Sequence, residues 1–356
     1  MTSGAPHVTP ADRSAFGDCL ARADERAALA LVDRLLTAGV AAQDVLLDLV
    51  APGQTQIGTR WAENEWTVAQ EHAATSVSEA CVVAISGAPH PPADSGQVVV
   101  ACSDGEWHTL PARLLTEVLR LNGFDARFLG GHVPAARLVS DLHQNGPDLV
   151  AISCTLSVRL PLAHALVTAV RRSGCPVLAG GAGFGPDGVW ARSIGADLYA
   201  RDAAAAAELL RRRWPPRLAA HDSSTAPEAA EAYHWFTRNR SRLLTDLGGG
   251  AGGRFPGTRL PGGEGEATAQ NIGYLVDALA AAVYVDDDTI LTDYLVFLHR
   301  LLVAKEEDTR RLHSVLTRLA DLVREVPRLH EAAERARRRY QAEREAEGGA
   351  PGGGGA

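Results

Sequence analysis

The chain has 356 residues, 46% of them hydrophobic, with 35 Lys and Arg set against 43 Asp and Glu for a formal charge of −8. At about 150 residues per domain this length corresponds to two or three domains, and the apolar content excludes wholesale disorder. A net acidic chain without a Lys/Arg cluster on a recognition helix has no electrostatic footprint for direct nucleic-acid binding. No apolar run approaches the roughly 20 residues that span a bilayer, and the amino terminus lacks the basic-then-apolar order of a signal peptide. A cytoplasmic protein without membrane contact is expected. Cys19, Cys81, Cys102, Cys154 and Cys175 are odd in number and irregularly spaced. They fit neither a disulfide framework nor a zinc site and are expected to be reduced and buried.

From residue 10 to 86 apolar residues recur at helical spacing, as in Ala27, Leu31, Leu35 and then Val45, Leu46, Val50. This predicts a bundle of about four helices with no strand. Residues 97–214 alternate short β-branched runs (Val98–Cys102, Ala126–Leu129, Leu149–Ser153, Val177–Ala179, Ala196–Tyr199) with amphipathic stretches. Runs buried on both faces imply a doubly wound parallel sheet, flavodoxin-like, whose ligands sit at the carboxyl ends of the strands. Residues 227–346 read as helical again, with helices over 271–285, 288–303 and 309–323 and a highly charged run over 325–347 taken as a solvated helix face. A Gly-rich loop over 248–265 is expected to be mobile, and the tail 347–356 disordered.

The chemistry concentrates at strand exits. After the first strand comes Glu106-Trp107-His108, in which the Glu can bond the ring nitrogen facing the protein while the other nitrogen points outward. The third strand ends in Ser153-Cys154-Thr155-Leu156, and the fourth in Gly180-Gly181. Hydroxyls at one exit and a glycine pair at the next offer polar anchors and close backbone approach to a large flat ligand. Gly131 and His132 follow the second strand.

Glu106-x-His108, Ser153 with Leu156, and Gly180-Gly181 resemble the signature of the cobalamin-binding fold: Asp-x-His-x-x-Gly, Ser-x-Leu and Gly-Gly. The resemblance implies that His108 is the lower axial ligand of cobalt, that Glu106 orients it, and that Trp107, Ser153, Thr155, Leu156, Gly180, Gly181, Gly131 and His132 contact cobalamin. This chain departs from the pattern with Glu106 in place of Asp, Pro111 in place of Gly and a loosened Ser motif, in which two residues separate Ser153 from Leu156.

In the helical segment before the sheet, Trp61 is followed after nine residues by Glu71-His72. The spacing is similar to the Trp-x9-Glu-His element of the CarH-type cobalamin photoreceptors, in which a four-helix cap covers the upper face of adenosylcobalamin. The resemblance implies that Trp61, Glu71 and His72 contact the adenosyl group. It also implies that light breaks the cobalt–carbon bond and lets cap and quaternary structure rearrange. The His that follows the Trp in that type is Ala62 here, so the upper position after photolysis falls to His72, His132 or water.

In the carboxyl-terminal segment, Tyr274-Leu-Val-Asp-Ala-Leu-Ala-Ala-Ala-Val followed by Thr292-Asp-Tyr294-Leu-Val-Phe-Leu-His299 is similar to the helical domain of photocobilins, which pair cobalamin with biliverdin. That resemblance implies a noncovalent bilin near His234, Arg238, Arg242, Tyr274, Tyr294 and His299, with Trp235, Arg240, Arg300 and His313 nearby in sequence. An ordinary dimerising bundle accounts for the same residues. The expectation for the whole chain is a light sensor using adenosylcobalamin and a bilin, a homo-oligomer acting through a downstream signalling protein, with no catalytic residues and no enzymatic turnover. The alternatives are a corrinoid methyl carrier of a methyltransferase system, or a nonphotochemical adaptor that senses cobalamin.

Overall fold

The computed structural model describes residues 5–220, 225–248, 264–306 and 308–348. They form two compact units, Met1–Ser223 and Ser224–Ala356. The first begins with helices α1 (Pro10–Ala21), α2 (Glu25–Thr37), α3 (Ala42–Val45), α4 (Ala51–Ala62) and α5 (Val68–Ser86). A π turn over Leu46–Val50 joins α3 to α4, so the expected four rods are present. The starts are specified locally. Thr9 and Asp12 form a capping box on α1, Asp24 caps α2, and Thr67 with Gln70 forms the capping box of α5. Phe16, Leu46, Leu49, Ile57 and Ile85 are fully buried between the rods.

The sheet consists of β1 (Gln97–Cys102), β2 (Asp125–Phe128), β3 (Leu149–Ser153), β4 (Val177–Gly180) and β5 (Leu198–Ala200). All pairings are parallel and the order is β2-β1-β3-β4-β5, so the winding reverses between β1 and β3. Helices α6 (Leu110–Leu121), α7 (Ala135–Asn145), α8 (Leu160–Arg172), α9 (Val189–Ser193) and α10 (Ala203–Arg213) cover its faces. Val98–Cys102 and Leu149–Ser153 are buried throughout, which is why they read as unbroken apolar runs. At the far end of the strands Trp214 packs edge-on against Phe124 and fills the space beside Gly96, where a Cβ would lie 2.1 Å from the indole. All five cysteines are buried and none is in a disulfide.

The second unit is helical: α11 (Pro227–Gly248), α12 (Glu264–Val285), α13 (Thr289–Ala304), α14 (Arg310–Leu322) and α15 (Pro327–Gly348). Helix α12 is its centre, buried on all sides from Leu275 to Val283. Arg240 forks onto Asp277 of this helix at 2.6 and 2.9 Å. The charged run 325–347 is α15, and its expected solvated face is only one side. Leu329, Ala332, Ala333, Ala336 and Tyr340 form a buried stripe on the other. The expected mobile loop lies, over 249–263, outside the described residues. So does the expected disordered tail over 349–356, while residues 347 and 348 close α15. Among the described residues no helix is long and apolar enough to cross a membrane.

Candidate cofactor site

The site lies where the winding reverses, at the exits of β1 and β3, the position at which open α/β sheets leave a crevice. The β1 exit is tied to β3 by the Ser103 amide, which donates to the Ser153 carbonyl at 2.9 Å. Three residues on, the Glu106 side chain is wholly buried. Its Oε1 accepts from the His108 amide at 2.9 Å and stands 2.5 Å from His108 Nδ1, while its Oε2 accepts from the amides of Thr155 at 2.8 Å and Leu156 at 3.2 Å. One carboxylate therefore joins the two strand exits through four donors. A buried charge is stable only when compensated in this way.

Electrostatics follow from that arrangement. Burial alone would raise the Glu106 carboxyl, but the hydrogen bond and charge of His108, with the amides of His108 and Thr155, outweigh it and hold the group below its ordinary value. The hydrogen bond to Glu106 raises the His108 imidazole above its ordinary value against a smaller opposing effect of burial, and the charge of Glu71 adds to the rise. The ring is half exposed, at 51% of the side chain, with Nε2 directed away from the carboxylate. The result is an electron-rich imidazole fixed on one side and open on the other.

The β2 exit runs against this loop. His132 donates its amide to the Glu106 carbonyl at 2.8 Å and stacks on Trp107 with ring centroids 5.1 Å apart. Gly131 lies so close that a Cβ would meet Thr109 Cγ2 at 2.9 Å. Trp107 itself is 71% exposed. At the β4 exit, Gly181 has φ +106° and a Cβ there would lie 2.4 Å from the Cys154 carbonyl oxygen. The close approach that the glycine permits is thus between the exits of β3 and β4, and Gly180 similarly faces the Ala200 carbonyl.

Helix α5 joins the site through Glu79, which accepts from the Thr109 hydroxyl at 2.7 Å. Trp61 is half-buried in the last turn of α4, and Glu71 and His72 occupy the first turn of α5. Glu71 accepts from Thr75 at 3.0 Å and stands 2.8 Å from His72 Nδ1, whose ring is largely exposed. The structure thus gathers Glu106, Trp107, His108, Gly131, His132, Ser153, Thr155 and Leu156 at adjoining strand exits, with the charge of Glu71 acting on His108. Sequence reasoning missed the Thr155 and Leu156 amides as the partners of Glu106, and it missed Glu79. Backbone donors leave no mark in residue type, and Glu79 reads as one more polar position of α5.

The bilin candidates belong to the second unit. His234, Arg238 and Arg242 are exposed along one face of α11, with Arg242 3.5 Å from Asp246. Tyr294 donates to the Asn271 carbonyl at 3.1 Å, its phenol pushed up by burial, and meets Tyr274 edge-on with centroids 6.4 Å apart. His299 Nδ1 stands 2.8 Å from the Tyr340 hydroxyl. These last three residues tie α12, α13 and α15 together.

Two B12 binding domain models match the chain, one over residues 96–209 and the other over 13–85. The trimethylamine corrinoid protein 1 of Methanosarcina acetivorans is 23% identical over 194 residues, covering 52% of this chain and 89% of that protein. The dimethylamine corrinoid protein 1 of the same organism is 26% identical over 115 residues, 31% of this chain and 53% of its own length. The monomethylamine corrinoid protein of Methanosarcina barkeri shares the fold with a TM-score of 0.50 at 22% identity, covering 55% of this chain and 95% of its own. The residues present fit the cofactor. The donor offered is a single imidazole oriented by Glu106 and open on its other side, which suits a metal that brings its own macrocycle. The first compact unit therefore carries B12-binding domains, and cobalamin is the cofactor this region takes.

Proposed function

We propose that the chain is a corrinoid carrier, which holds cobalamin through His108 and delivers a methyl group between methyltransferase partners. The observation that carries this reading is the buried Glu106, locked by two β3-exit amides and in turn locking Nδ1 of His108. The names of the relatives support the same direction. Bound cobalamin would supply a cobalt–carbon bond able to hold a methyl or an adenosyl group. The chain supplies orientation: Glu106 keeps a negative charge behind the imidazole, and Thr155 and Leu156 keep Glu106 in place.

A second reading, light sensing with adenosylcobalamin, is favoured by one feature, the Trp61…Glu71-His72 element at adjoining ends of α4 and α5, whose Glu71 charge acts on His108. It places Trp61, Glu71 and His72 against the adenosyl group, and it extends to a noncovalent biliverdin in α11–α15 and a light-dependent homo-oligomer. The two are separated by loading the purified chain with methylcobalamin or adenosylcobalamin. A carrier exchanges its methyl group with a methyltransferase and keeps its assembly state under green light. A sensor changes spectrum and assembly on illumination, and a shifted visible spectrum after adding biliverdin would mark the second chromophore. Cobalamin affinity and spectrum unaltered by His108→Ala would overturn both.

A further inference from the structure

In the loop that presents His108, Glu106 is buried, but Trp107 at 71% and the His108 side chain at 51% are exposed, so burial does not fix the loop's outer part. The Thr155 and Leu156 amides hold it from the β3 side through Glu106, and a residue of the β2 exit holds its outer side. His132 touches three consecutive residues of the loop: the Gly105 amide donates to its Nδ1 at 2.8 Å, its own amide donates to the Glu106 carbonyl at 2.8 Å, and its ring stacks on Trp107 at an interplanar angle of 17°. The Asp104 carboxylate stands 2.8 Å from the same Nδ1, whose lone pair the Gly105 amide occupies, so it adds no bond to these contacts. The contact is close along its length, because Gly131 has no room for a Cβ between Thr109 and the Glu106 carbonyl.

The backbone of His132 has φ +48°, a left-handed conformation that is unfavourable for a non-glycine residue and persists where surrounding contacts enforce it. Ordering a loop residue costs backbone entropy. A loop already held at three residues meets that cost on folding and not on cofactor binding. We propose that His132 is a positioning residue, which clamps the Asp104–His108 loop so that the imidazole of His108 is presented in one orientation, and is not itself a ligand of cobalt. This inference rests on the reading of His108 as the cobalt ligand.

Three variants test it: His132→Ala, which removes the acceptor and the stack; His132→Asn, which tolerates positive φ and keeps an acceptor within reach of Gly105; and His108→Ala as the ligand control. In the apoprotein, hydrogen exchange at the Gly105 amide should quicken roughly tenfold in His132→Ala and return towards the parent rate in His132→Asn. In 15N-histidine-labelled protein loaded with cob(II)alamin, His132→Ala should bind roughly tenfold more weakly, with a smaller fraction showing the 15N hyperfine splitting of an axial histidine imidazole, and His132→Asn should recover most of both. Parent-like exchange and splitting in His132→Ala would overturn the clamp, as would equal loss in the Ala and Asn variants when both melt with the parent. Splitting that survives His108→Ala but vanishes in His132→Ala would make His132 the ligand and overturn the proposal. Splitting that survives both would remove the ligand reading of His108, while Gly105 exchange in the apoprotein still judges the clamp by itself.

Discussion

Two Glu–His pairs of the first unit have similar composition and opposite construction. In the pair Glu106 with His108, the carboxylate is wholly buried and receives four donors from two strand exits. In the pair Glu71 with His72, on the first turn of α5, 25% of the Glu side chain and 73% of the His side chain are exposed. His72 Nδ1 also lies 2.8 Å from the Val68 carbonyl of its own helix. A buried carboxylate surrounded by amides can hold one geometry and cannot be removed cheaply, whereas an exposed pair exchanges partners at little cost. The first suits a fixed ligand. The second suits a surface that adapts to whatever occupies the space beside it.

The comparison breaks most visibly at Glu106. Glu106→Ala strands the Thr155 and Leu156 amides and frees the His108 ring, so urea unfolding of the apoprotein should show a loss of about 3 kcal/mol, at roughly 1–3 kcal/mol per orphaned buried group. An apoprotein with parent stability would mean that water replaces the carboxylate. His108→Ala should separate function from stability. The half-exposed ring contributes little to folding, but cobalamin affinity should fall by roughly 10–100-fold with a shifted visible spectrum.

The pH dependence sharpens the contrast further. The Glu106 carboxyl is depressed in the fold, so its contribution is present above the ordinary value of 4.5 and is lost as pH falls through its lower folded value. The His108 ring is raised, so its contribution is complete below the ordinary value of 6.5 and is lost as pH rises through its higher folded value. The apoprotein should therefore gain most from this pair between pH 4.5 and 6.5, and the gain should vanish in Glu106→Gln when unfolding is followed across that range. The smallest effect belongs to the exposed pair: His72→Ala should change stability by no more than about 0.5 kcal/mol. A larger loss would show that this surface pair is structurally committed after all.

The fold is legible in the sequence where burial is symmetric. β1 and β3 are covered on both faces, so Val98–Cys102 and Leu149–Ser153 appear as continuous apolar runs. Helix α15 is harder because its buried stripe is built largely from Ala332, Ala333 and Ala336, small residues that the surrounding Arg and Glu outweigh in composition. The site was readable where side-chain chemistry and spacing coincide, at Glu106 and His108. The amides that hold Glu106 were not, since every residue except proline carries one. Gly181 was recognisable as special, but the neighbour that requires it, the Cys154 carbonyl, comes from another strand.

Trp214 and Gly96 carry a consequence of their own. The residue preceding β1 and the residue following α10 are in contact, so the α/β segment begins and ends at one point, sealed by an indole. A chain whose ends meet can be relinked there and opened elsewhere. A circular permutant cut at the exposed α7–β3 turn around Gly146 should rebuild the same sheet, and the segment should tolerate transplantation as a cassette into a loop of an unrelated host.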